Sequence, residues 1–260
     1  MVRDPALRLQ RCGPVPEVVD RAPLPTGAAA GSVPAAAARY AGGLLVFAAV
    51  ALAVSVIGRV SAAADHDTLA ETLAAIADQR GAYGLGGAGR VVAGIALVAG
   101  AWFLLRTWII RQRLGTPLVP YLLAVAGLGL GVSGASAIAL AVGAPAAPAT
   151  GGAAAEALDA LHWIAGKIGF VAAGLALLIA ARYQWKVGGQ LRRIAPVSAV
   201  VGLAMQFIWI DAATIIHPIV GTGFFVWLLA VGAMLTTGRV ERHFTAMVTA
   251  SATRGRSHVG

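Results

Sequence analysis

Residues 161–181 read LHWIAGKIGFVAAGLALLIAA. The run matches the ~20 residues that a helix needs to cross ~30 Å of hydrocarbon, yet it opens on His162 and carries Lys167 within it. Lipid does not solvate an ammonium group. A lysine at that depth is therefore lifted to the interface on its four-carbon stem, paired, or used.

Five further runs of the same kind surround it, at about residues 40–60, 91–110, 118–142, 194–210 and 218–235. The chain of 260 residues is 58% hydrophobic and only 12% charged, against roughly a quarter charged in soluble domains, and its mean hydropathy is +0.79. These features predict an all-α, polytopic membrane bundle of six transmembrane helices within residues 39–237. Residues 1–38 contain six prolines and no apolar periodicity, which predicts a disordered tail. Residues 238–260 form a basic tail. The first apolar run starts too late for a cleaved leader, so it reads as a retained span.

The net charge of +9 is a matter of placement. Sixteen of the twenty Lys and Arg residues fall in the two tails and in the second and fourth connections, while only Arg59, Arg80 and Arg90 fall on the opposite side. The positive-inside rule then puts both termini in the cytoplasm of a bacterial-type cell and the protein in its cytoplasmic (inner) membrane. Seven of the eleven acids, including Asp65, Glu71, Asp159 and Asp211, lie on the outer side. The basic balance is a sorting signal and does not point to nucleic acid. Cys12 is the sole cysteine, so neither an intrachain disulfide nor a thiolate cluster can form.

The connections carry local signals. Thr68 followed by Glu71 fits a capping box, and Leu69, Leu73 and Ile76 recur at helical spacing, so a short helix running to Gly81 is expected to cover the bundle. The helix-favouring AAAEALDAL before Leu161 predicts that the fourth helix begins outside the membrane. GLGGAG at 84–89 has the letters of a dinucleotide motif but not its strand–turn–helix setting, and reads as a flexible hinge before the second span. In the third span Gly127, Gly131, Ala135 and Ala139 recur every four residues and predict one stripe of close helix packing. Ser133 and Ser136 are expected to bond back to their own helix. Trp102 is expected to pack inside, and Gln206 to make one interhelical hydrogen bond.

The candidate site is a polar cluster at the outer face, between the fourth, fifth and sixth helices. Asp159 and His162 share a helix surface, and Lys167 lies ~9 Å below the start of its span. A short turn, IDAATIIHP, sets Asp211 and His217 at similar depth, with Pro218 in the first turn of the sixth helix. Asp211 is the natural partner for Lys167. This constellation supports a structural ion pair or a proton or anion site; a b-type haem on His162 and His217 is a further alternative. Zinc lacks a tight ligand pair, so no metal is assigned. The leading functional reading is transport or ligand sensing of a small molecule or ion. The alternatives are an accessory subunit of a larger membrane complex or homo-oligomer, and a haem-binding electron carrier. No nucleophile with a matching base appears, which disfavours an enzyme.

Overall fold

A computed structural model describes residues 33–64, 66, 68–111, 113, 115–146, 152–209 and 216–256. Nine α-helices are found among them, with no strand: α1 (Val33–Ala62), α2 (Leu69–Asp78), α3 (Arg80–Leu105), α4 (Trp108–Arg111), α5 (Leu118–Gly143), α6 (Gly152–Val187), α7 (Gly189–Ala204), α8 (Ile216–Thr236) and α9 (Arg239–Arg256). Six of them, α1, α3, α5, α6, α7 with its 3₁₀ extension to Trp209, and α8, are long and apolar enough to cross a membrane. Their outward faces display Ile57, Ile95, Leu128, Ile168, Val200 and Val226, all exposed. Apolar exposure on that scale suits lipid and not water.

Neighbouring spans pack in the order α1, α3, α5, α6, α7, and α8 closes the ring against α1 and, more lightly, α7. One end of the bundle carries α2 and the other α9. At the first end Thr68 caps α2, its hydroxyl accepting from the Glu71 amide, and Leu73 and Ile76 are buried against Tyr83, Leu140 and Ala141. This is the covering helix expected, although it stops at Asp78, so Gly81 belongs to α3. The fourth spanning helix does begin early, at Gly152.

Three sequence expectations give way. Residues 33–38 are helical, not tail, because Pro34 suits a helix start and the alanines after it are strong helix formers; residues 1–32 lie outside those described. GLGGAG is neither loop nor hinge. It lies inside α3, where Gly86, Gly87 and Gly89 are buried against α1 and α5. A backbone at membrane depth must satisfy itself as helix, and a missing side chain lets another helix close in. Trp102 is 55% exposed, facing outward with the Arg106 guanidinium 4.4 Å over its ring.

The four-residue stripe proves only half right: the backbones of Gly127 and Gly131 both lie against Gly94 of α3, and Ala135 and Ala139 do not take part. A Cβ on Gly127 would lie 2.6 Å from the Gly94 carbonyl oxygen of α3, whereas one on Gly131 would meet nothing within 4 Å, and Ala135 and Ala139 are exposed. Four residues advance a helix by about 400°, so each step drifts about 40° around it. The contact runs from Gly127 past the Gly131 backbone, which a Cβ on Gly94 would approach to 2.9 Å, and on to Gly134, where the Gly87 carbonyl of α3 approaches.

At the α9 end, Ser198 of α7 is fully buried between two other helices. It donates to Gln184 Oε1 of α6 at 2.7 Å and accepts from Trp227 Nε1 of α8 at 2.7 Å. Gly188, at φ +80°, turns the chain from α6 to α7 in one residue. Over that turn sits α9, with His243 against the Val187 carbonyl at 3.2 Å and Val240 and Phe244 buried. Burial pushes the Glu241 carboxyl of α9 above its ordinary range, opposed by the Arg39 guanidinium. Its Oε1 is buried with no hydrogen-bond partner among the described residues.

A raised carboxyl binds a proton more tightly when α9 is docked than when it is free, so docking weakens as pH rises through the raised value. Hydrogen exchange at residues 240–247 is expected to quicken as pH rises from the ordinary carboxylate range through that raised value, beyond the intrinsic rate change. Glu241→Gln is expected to abolish that excess; a variant with the same pH profile would refute the assignment.

Candidate functional site

The directions of the helices assemble the site. Side chains on a helix lean toward its N-terminus. Helices α3 and α6 start at the α2 end, so Arg90, His162 and Lys167 lean that way; α1 starts at the other end, so Arg59, three residues before its close, leans inward to meet them. These four line one cavity of about 550 Å³ between α1, α6 and α8, with α3, α5 and the end of α7 completing the wall.

In its wall is His162, 3% exposed. Its Nδ1 lies 2.8 Å from the Ser133 carbonyl oxygen of α5, and its Nε2 lies 3.0 Å from Arg90 Nη1 of α3. A guanidinium only donates and a carbonyl only accepts, so the pattern assigns the neutral ring with its proton on Nδ1. Arg90 Nη1 also donates to Ser133 Oγ at 3.2 Å. Three helices are thus tied through one imidazole. Tyr83 and Trp163 flank the ring, with centroids 6.3 and 5.7 Å away. Arg59 lies 4.7 Å over the Trp163 ring, and Lys167 Nζ lies 5.4 Å from the Trp209 ring centroid. Both distances are within cation–π range. Arg59, Arg90, Lys167, His162 and Asp159 also engage in further interactions.

No protein-family model, curated protein or solved structure matches the chain. The reading of the site therefore rests on its own chemistry.

Of the five residues that the sequence pointed to, His162 and Lys167 meet in the cavity. Asp159 is half-buried one turn before His162 on α6. Asp211 lies outside the described residues, as does the side chain of His217, whose backbone opens α8. Sequence reasoning missed Arg90 and Arg59, which it used only as topology markers, and it gave Ser133 a bond to its own helix. Ser136 does make that bond, to the Val132 carbonyl at 3.0 Å, while Ser133 faces His162 and Arg90. Gln206 makes its interhelical bond to the Val171 carbonyl of α6, at 3.4 Å.

The geometry also bears on chemistry. Ser133 Oγ is 3.2 Å from His162 Nδ1, but the carbonyl 2.8 Å away takes the Nδ1 proton, so this nitrogen is not placed to activate the hydroxyl. An iron on His162 would have to displace Arg90 from Nε2. No cluster of three potential metal ligands occurs among the described residues. What the side chains do offer is donors: one ammonium and two guanidinium groups aimed at a common space.

Proposed function

We propose that the protein is a multi-pass protein of a bacterial-type cytoplasmic membrane which holds a small acidic ligand in this cavity, in transport or ligand sensing. One observation carries the reading: Arg59, Arg90, Lys167 and His162, from three different helices, converge on one cavity. Basic groups at membrane depth are costly unless they are engaged, and a carboxylate or phosphate entering such a site meets charge-assisted donors already held in place. The arrangement suits recognition: among the described residues, the hydroxyl nearest His162, that of Ser133, is not activated by it. The distribution of Lys and Arg supports cytoplasmic termini and a cavity in the outer half of the membrane.

Protein reconstituted in discs of neutral lipid is expected to retain radiolabelled organic acids in equilibrium dialysis in preference to their neutral analogues. Lys167→Met, which keeps most of the stem, is expected to weaken retention by about tenfold or more, the worth of one charged hydrogen bond. Equal retention of acids and neutral analogues, or an unaffected Lys167→Met protein, would overturn the reading.

A further inference from the structure

The cavity is graded in polarity along the membrane normal. Its basic groups gather toward the α2 end, and below them the lining turns apolar on every side: Leu52 of α1, Leu130 of α5, Phe170 of α6, Met205 beyond α7, and Phe224 and Phe225 of α8. From Lys167 to Ala173 on α6 the lining descends six residues, or about 9 Å, and from Arg59 to Leu52 on α1 seven residues, or about 10 Å. A compact anion such as acetate would use only the upper part of this space.

We propose that the ligand is a single-chain acidic amphiphile, its carboxylate or phosphate among Arg59, Arg90 and Lys167 and its alkyl chain running down past Phe170 to a floor made by Leu52, Ala173, Met205 and Phe224. This rests on the acidic-ligand reading above and narrows it. The depth sets the chain. A floor about 10 Å below the head group is shallower than the ~15 Å of one leaflet's hydrocarbon, so a medium-length chain fits and a full-length lipid tail does not. The shared chemistry, an acidic head on alkyl carbon, occurs both in soluble amphiphiles and in bilayer lipids, and the test separates these sources.

Discs of phosphatidylcholine carrying the protein are titrated with labelled acetate, inorganic phosphate, decanoate, decyl phosphate and decanol, and uptake by protein-free discs is subtracted. Decanoate and decyl phosphate are expected to saturate at one per protein, at least about a hundredfold tighter than acetate and phosphate, because even four buried methylenes are worth about that much. Decanol is expected not to saturate. Affinity along an acetate-to-hexadecanoate series is expected to rise and then level off near the chain length that reaches the floor. Gly221→Leu adds bulk to the lining, where a Cβ would be in ordinary contact with Phe170 at 3.8 Å. It is expected to cost decanoate about tenfold and acetate nothing; the chain-length series on the unmodified protein asks the same question if that variant does not fold.

Acetate binding as tightly as decanoate would overturn the amphiphile and leave the acidic-ligand reading standing. Failure of every anion, or equal competition by decanol, would overturn both. Displacement of decanoate by equimolar phosphatidylglycerol in the disc would make the occupant a two-chain lipid and overturn the single-chain assignment.

Discussion

Gly127→Val is expected to cost the bundle more than about 3 kcal/mol, while Gly131→Val, four residues along the same helix, changes its stability by less than about 1 kcal/mol. A Cβ at Gly127 would stand 2.6 Å from the Gly94 carbonyl oxygen and 2.9 Å from Val98 Cγ2. The first of these is backbone and cannot rotate away. Helices α3 and α5 would have to separate, and separation removes contacts along the whole interface, including the approach of Gly134 to the Gly87 carbonyl. Valine's second branch adds a further clash. A Cβ on Gly131 meets nothing within 4 Å, although its backbone lies against Gly94, so helix propensity is the main term there. Unfolding by sodium dodecyl sulfate in mixed micelles, followed by loss of helical signal, measures the pair. Equal losses at the two positions would mean that α5 is rotated from the orientation described.

That pair also marks where sequence reading stops. The length and composition of LHWIAGKIGFVAAGLALLIAA and its five counterparts are local properties, and hydrocarbon thickness turns them directly into six helices. Which face a helix turns inward is not local. A repeat of four looks like a stripe in one dimension and winds around the helix in three, so Gly127 and Gly131 were legible as packing only together with Ala135 and Ala139, which are exposed. GLGGAG misled for a related reason. Glycine loosens a chain in water, where backbone groups have another partner, but not where the helix is the only way to satisfy them.

The hinge reading had a cost at the site. It placed Arg90 in a connection, whereas α3 begins at Arg80 and carries Arg90 ten residues into a spanning helix. Read as helix, the same letters would have shown a second cation at membrane depth beside Lys167. His162 and Lys167 were legible because each interrupts an apolar run. Ser133 was not, since a serine in a membrane helix can satisfy itself, and only the rotation of α5 against α6 turns its carbonyl toward His162.

The Arg90–His162 contact is expected to behave as one unit. Arg90→Met removes the donor to Nε2 of a ring that is almost wholly buried, and His162→Phe removes an acceptor from a half-buried guanidinium. Either leaves a polar group short of a partner, at a cost of about 2–3 kcal/mol each. In the double variant both members of the contact are gone together. Its loss is expected to be no larger than that of the worse single variant, which means a coupling of about 2 kcal/mol in a double-mutant cycle read by the same detergent titration. Ser133→Ala tests the geometry further. It leaves the carbonyl that accepts from Nδ1 and removes only the hydroxyl that accepts from Arg90, so its expected cost is nearer 1 kcal/mol. Additive losses from Arg90→Met and His162→Phe would show that the two side chains do not meet. A double variant that keeps its stability yet loses all retention of organic acids would separate what the cluster does for the fold from what it does for the ligand.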